Sequence, residues 1–172
     1  MANVSEISRP SDLWKQFSAE RKQQAAEAFW RDRHAGAEQA EVVAFIAQRI
    51  KFRPKSVLAL PLEKKARYLT TLPGISELVA ARLLVAYHLE HQRPMMGSFL
   101  DALGIAHESG VIAEEETPKP AADAVLKAAE TIAATYPADD VALYLSTLLW
   151  QDPETWGALA DAPQRQQPTP AS

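Results

Sequence analysis

Apolar residues recur along this chain at three- and four-residue spacing, the period of helices with one buried face. Leu13, Trp14, Phe17, Ala25, Ala28 and Phe29 keep that spacing and leave Lys15, Arg21, Lys22 and Glu27 for solvent. The pattern predicts a long helix capped at Ser11 or Asp12, running to about His34 and stopped by Gly36. A second helix is predicted over residues 37–51, burying Val42, Val43, Phe45, Ile46 and Ile50, before Pro54 breaks the pattern. After a short apolar connector and Pro61, the stretch 64–91 predicts two helices joined at Pro73-Gly74, the second capped by Ser76. Leu78, Val79, Ala80, Ala81, Leu83, Leu84, Val85, Ala86 and Leu89 cover most of that second helix, which marks it as central and buried.

Arg93-Pro94 is expected to end the central helix, with Ser98 capping a short helix that Gly104 closes. Ala121–Tyr136 reads as an Ala-rich helix broken by Pro137. A helix capped at Asp139 or Asp140 follows, and a last turn opens at Asp152-Pro153 ahead of Trp156. No stretch shows the period-two alternation of a half-buried strand. The expected fold is therefore all-α, an irregular bundle of about seven helices around a central helical hairpin. Residues 1–10 are expected to be a flexible lead-in and residues 11–162 one helical domain. Residues 113–120, with three consecutive glutamates and two prolines, are expected to link to docked C-terminal helices, ahead of a disordered tail over 163–172.

Hydrophobic residues make up 47% of the chain, enough for a core without disulfide or metal, and the absence of cysteine excludes thiolate chemistry. No apolar run is long enough to span a bilayer and no signal-like segment is present, so the expected location is the cytoplasm. The net charge of −4 hides a division: residues 1–94 carry 15 Lys+Arg against 10 Asp+Glu, residues 95–172 carry 3 against 12. The densest basic cluster is Arg49, Lys51, Arg53, Lys55, Lys64, Lys65 and Arg67, relieved by Glu63. Such a split suits a polyanion-binding face, or halves of opposite charge that attract, with Glu114, Glu115 and Glu116 masking the basic cluster.

The run Leu72-Pro73-Gly74-Ile75-Ser76, followed by Glu77-Leu78-Val79 and then Ala80, Leu83 and Leu84, resembles the helix-hairpin-helix motif over about one sixth of the chain. That resemblance implies nucleic-acid binding, with backbone N–H groups of Gly74, Ile75 and Ser76 facing a phosphate. Lys64, Lys65 and Arg67 would then add counter-charge, extended by Arg53 and Lys55. Ser76 stands where the motif has a second glycine, and Glu77 places a carboxylate at the first helical position.

His88 and His91, three residues apart, form with His107 a metal-ligand candidate for a metal-dependent enzyme. No nucleophile elbow, His-Glu-x-x-His or phosphate-cradling glycine loop is present. The leading expectation is a non-enzymatic interaction or assembly protein without a cofactor, acting on a protein partner or a second copy of itself. Nucleic-acid binding and the metal-dependent enzyme stand as alternatives.

Overall fold

The computed structural model describes residues 7–113 and 117–165. The chain is all-α: ten α-helices are present among the described residues, with one two-stranded hairpin as their only sheet. Contacts group the chain into two compact units, Arg9–Glu90 and the remaining residues. Residues 1–6 of the expected lead-in, the glutamates of the expected linker with the masking role given to them, and residues 166–172 of the expected tail lie outside the described residues, while Pro10 already opens a helix and residues 163–165 form a short 3-10 turn.

In the first unit α1 is Pro10–Lys15 and α2 is Ala19–Arg31, where one helix was expected. Ser18 takes an extended backbone and its hydroxyl accepts from Arg21 N–H at 3.1 Å, so it starts a new helix. Gly36 does not close α2 but opens α3, Gly36–Ile50. The end of α2 is held by Gln39, whose side-chain amide donates to the carbonyls of Phe29 at 2.8 Å and Asp32 at 2.9 Å. Lys51, left-handed at φ 60°, ends α3. Helices α4 (Pro54–Leu58), α5 (Leu62–Thr70) and α6 (Glu77–His91) complete the unit. Ala25, Ala26, Ala66 and Leu69 are fully or almost fully buried where α2 and α5 lie side by side, alanines allowing the close approach. Val79, Ala80, Leu83, Leu84 and Tyr87 bury α6.

In the second unit Pro94 opens a helix, because proline's missing N–H costs nothing in a first turn: α7 runs from Arg93 to Leu103 and Gly104 closes it left-handed at φ 69°. Ser98 therefore lies inside α7, bonded to the Tyr136 hydroxyl at 2.8 Å. Strands β1 (His107–Glu108) and β2 (Val111–Ile112) pair antiparallel across Ser109 and Gly110. Both turn residues have positive φ, 49° and 86°, the geometry of a tight two-residue hairpin. Helices α8 (Ala122–Ala133), α9 (Ala138–Gln151) and α10 (Pro153–Trp156) follow. Asp139 and Asp140 sit in the first turn of α9 rather than at its cap, Pro137. Every residue from Val141 to Thr147 is buried, so α9 is the central helix of this unit, with Phe99 stacked edge-on to Tyr144 at 5.6 Å.

Candidate functional site

The turn between α5 and α6 spans residues 71–76. Ser76 caps α6 as expected, accepting from Val79 N–H at 3.2 Å, and its own hydroxyl donates to Glu41 of α3 at 2.9 Å. Glu77 accepts from the Ser11 backbone N–H at 3.1 Å and from the Ser11 hydroxyl. The donor-rich start of α6 therefore faces two carboxylates of its own unit. A phosphate oxygen brought within about 5 Å of either would meet roughly 3 kcal/mol of repulsion at an effective dielectric of about 20. Gly74 is exposed, has no positive φ, and leaves open space where a Cβ would stand.

The basic candidates do not gather at this turn. Lys64 and Lys65 lie in the first turn of α5, so about 9 Å of helix rise separates Lys64 from Thr70, where the turn begins. Lys65 places its ammonium 5.0 Å from the Trp30 ring centre and 3.4 Å from the Leu58 carbonyl oxygen, while Arg67 pairs with Glu63 at 2.9 Å. Arg53 precedes α4 and Lys55 stands in its first turn, both exposed, as Lys64 is. Ile75 is half-buried.

A different arrangement emerges on α3. At 100° per residue, Glu38, Glu41, Phe45 and Arg49 fall within about 40° of one line along this helix. The first half of that stripe is engaged by α6, Glu38 with Arg82 at 3.8 Å and Glu41 with Ser76. These pairings run antiparallel, so Phe45 extends one turn past Ser76, and Leu78 stands one turn before Arg82 on the same side of α6. Both residues were expected in the core, yet Phe45 is 48% exposed and Leu78 68%. Phe52 (46%) and Leu58 (53%) are exposed as well. Between Val42 and Leu62 the chain carries Arg49, Lys51, Arg53 and Lys55 and no carboxylate.

A helical wheel holds the signal for Phe45: it lies about 130° from the centre of the buried stripe of Val42, Val43, Ile46 and Ala47. For Leu78 the same test places it opposite Val79, Leu83 and Tyr87. The near-continuous apolar character of α6 hides that distinction.

The histidines serve their surroundings. His88 is buried, and its Nδ1–H donates to the Leu84 carbonyl at 2.7 Å; burial pushes its pKa down to about 4, with Arg21 adding to the shift and the Leu84 bond opposing it. His107 accepts from Gly110 N–H at 3.0 Å through Nδ1 and meets Asp101 at 2.7 Å through Nε2, which braces the hairpin. His91 is exposed at the end of α6. Among the described residues no group of three or more His, Asp or Glu is arranged to hold a metal ion. No helix in the described residues is long and apolar enough to cross a membrane.

The tryptophans pack within their units. Trp14 lies 5.7 Å from the Phe17 ring and Trp156 5.6 Å from Phe99; Trp30 is also buried, and Trp150 is half-buried. In the second unit a cleft of about 460 Å³ is bounded by Arg93, Glu108, Ser109 and Val111–Ala113, and Arg93 donates to the Ser109 carbonyl across it at 3.0 Å. Compared with protein-family models, curated proteins and solved structures, the chain matches none.

Proposed function

We propose that this chain is a non-catalytic protein-binding protein, with its binding face on the outer half of the α3 stripe and the start of α6. The observation that carries this reading is the exposure of Phe45 on α3, one turn beyond the Glu41–Ser76 contact, with Phe52 and Leu78 exposed as well. A half-exposed phenylalanine offers roughly 100 Å² of apolar surface, so covering each is worth about 2 kcal/mol before the costs of association. A partner helix or a second copy of the chain would supply that cover.

Nucleic-acid binding is a second reading, supported by the carboxylate-free stretch with Arg49, Lys51, Arg53 and Lys55. It draws no support from the turn, where Glu41 and Glu77 stand against a phosphate.

The test is photocrosslinking of the full chain in the cells that make it, with p-benzoylphenylalanine placed at Phe45 or, as control, at exposed Lys127 of α8. The expected result is a discrete protease-sensitive adduct at position 45 and none at 127, its mass telling a second copy from another protein. A nuclease-sensitive adduct would favour the second reading. No adduct, or equal adducts at both positions, would overturn the proposed face.

A further inference from the structure

We infer that His107 is a pH-operated latch on the hairpin of β1 and β2: as a neutral ring it ties the Ser109-Gly110 turn to α7, and on taking up a proton it lets that turn go. The inference is independent of the binding face proposed on α3. It starts from the two bonds of the ring. Gly110 N–H donates to Nδ1 at 3.0 Å, and Nε2 stands 2.7 Å from Oδ1 of Asp101 on α7. A backbone N–H can only donate and an ionised carboxylate can only accept, so this pairing assigns the lone pair to Nδ1 and the single ring proton to Nε2. A proton from solvent has one place to go, Nδ1, where it turns an acceptor into a donor aimed at another donor. The charged ring and the Gly110 bond therefore exclude each other.

The ring stays with α7 and the turn is the part released. Gly97 of α7 makes room for the ring, since a Cβ there would stand 3.2 Å from His107 Cε1, and Asp101 holds Nε2 in either state, more strongly when the ring is charged. The hairpin has weaker holds of its own. Its ladder is two residue pairs long, His107 with Ile112 and Glu108 with Val111, and the continuing bond from Ala113 N–H to the Ala106 carbonyl is stretched to 3.4 Å. Val111 and Ile112 are exposed, so β2 adds little apolar burial. What remains on the turn is the bond from Arg93 to the Ser109 carbonyl and the packing of Gly110 against Met96. Release of the turn moves one wall of the cleft of about 460 Å³ that Arg93, Glu108, Ser109 and Val111–Ala113 bound.

The charged groups about the ring come from several elements. Asp101 on α7 and Glu108, the next residue of β1, favour the imidazolium; Arg93 at the start of α7 and Lys119, which borders a further cleft with Ala106, oppose it. β2 brings no charge at Val111 or Ile112. The sign follows from the Nδ1 bond: the latch is closed while the imidazole is neutral and opens as the pH falls through the range where imidazoles titrate, about pH 8 to about pH 5.

The test is NMR of the isotope-labelled full chain across that range, following the ring nitrogens of His107 and the amides of Gly110, Val111 and Ile112. At the upper end the ring is expected as the Nε2–H tautomer. As it takes up its proton the three amides should shift with the same midpoint. His107→Asn puts a carbonyl oxygen near the place of Nδ1 and has no proton to gain, so its Gly110 amide should not respond. Once the wild-type ring is charged, its Gly110 amide should exchange with solvent about ten-fold faster than in His107→Asn at the same pH. Asp101→Asn keeps an acceptor for Nε2–H without the charge and should move the whole response to lower pH.

A neutral ring protonated at Nδ1 overturns the latch. So does a Gly110 amide that stays unchanged while His107 takes up its proton, a ring that stays neutral throughout the range, or an equal acid response in His107→Asn. If circular dichroism shows that His107→Asn has lost its helices, Asp101→Asn decides alone: a response moved to lower pH supports the latch, and an unmoved one overturns it.

Discussion

His88 gives the most direct test of how the first unit is held together. It is buried on α6 with its Nδ1–H on the Leu84 carbonyl, and its pKa is lowered from 6.5 to about 4, mainly by burial. A base whose folded pKa is depressed binds its proton more readily when unfolded. The stability it contributes is therefore complete above about pH 6.5 and is lost as the pH falls toward 4. Between pH 7 and pH 4 the loss from this one group comes to about 3 kcal/mol, a large share of an ordinary folding free energy. Carboxylates titrate over the same range, so wild type must be compared with His88→Leu, which fills similar volume and cannot take up a proton. Urea unfolding followed by tryptophan emission, from pH 7 to pH 4, should show the variant gaining about 3 kcal/mol on the wild type as the pH drops. A stability difference that stays constant across that range would refute a neutral, buried His88.

Gly110→Ala should lower the stability of the second unit by about 2–4 kcal/mol, because φ is 86° and the new Cβ would fall 2.7 Å from Met96 Cβ and 3.1 Å from the Arg93 carbonyl. A loss near zero in urea unfolding would contradict that packing. Gly74→Ala should be neutral or stabilise by up to about 1 kcal/mol, since the position has open space and no positive φ; a clear loss of melting temperature would show that the turn does need glycine. Gln39→Ala should cost about 1–2 kcal/mol by freeing the carbonyls at the end of α2. Gln39→Glu should cost more at neutral pH, because a carboxylate there can only accept and would face acceptors; chemical denaturation of the two variants side by side checks the order.

Much of the helical order was legible because its signals are local. Ser76 capping α6, Gly104 closing α7 and Asp152 capping α10, with a 3.1 Å bond from Thr155 N–H, each depend on residues within one turn. The misplaced boundaries had competing local signals of equal standing. Ser18 could lie inside a helix or start one, Gly36 could end a helix or open one, and Pro94 could follow a helix or lead one. Tertiary contact decided each case, as with Gln39 reaching back to α2. The all-round burial of α9 was not legible from its apolar periodicity, because Ala142, Ser146 and Thr147 are buried too, Thr147 by turning its hydroxyl to the Leu143 carbonyl at 2.8 Å.

The candidate site shows the same division at larger scale. A helix start presents the same N–H groups and partial charge whether a phosphate or the chain's own carboxylates answer them. The local run Leu72–Ser76 specifies only those donors. What faces them comes from Glu41, 35 residues away from Ser76, and from the Glu77–Ser11 contact across 66 residues. The basic cluster is likewise compact in sequence, yet α5 sets Lys64 and Lys65 at the end opposite the turn, and Trp30 and Glu63 take up Lys65 and Arg67. Arg49, Lys51, Arg53, Lys55 and Lys64 stay exposed, the first four following Phe45 along α3 and into α4. Exposed apolar surface and positive charge thus lie one turn apart on α3, at Phe45 and Arg49, and the binding role proposed above draws its support from there.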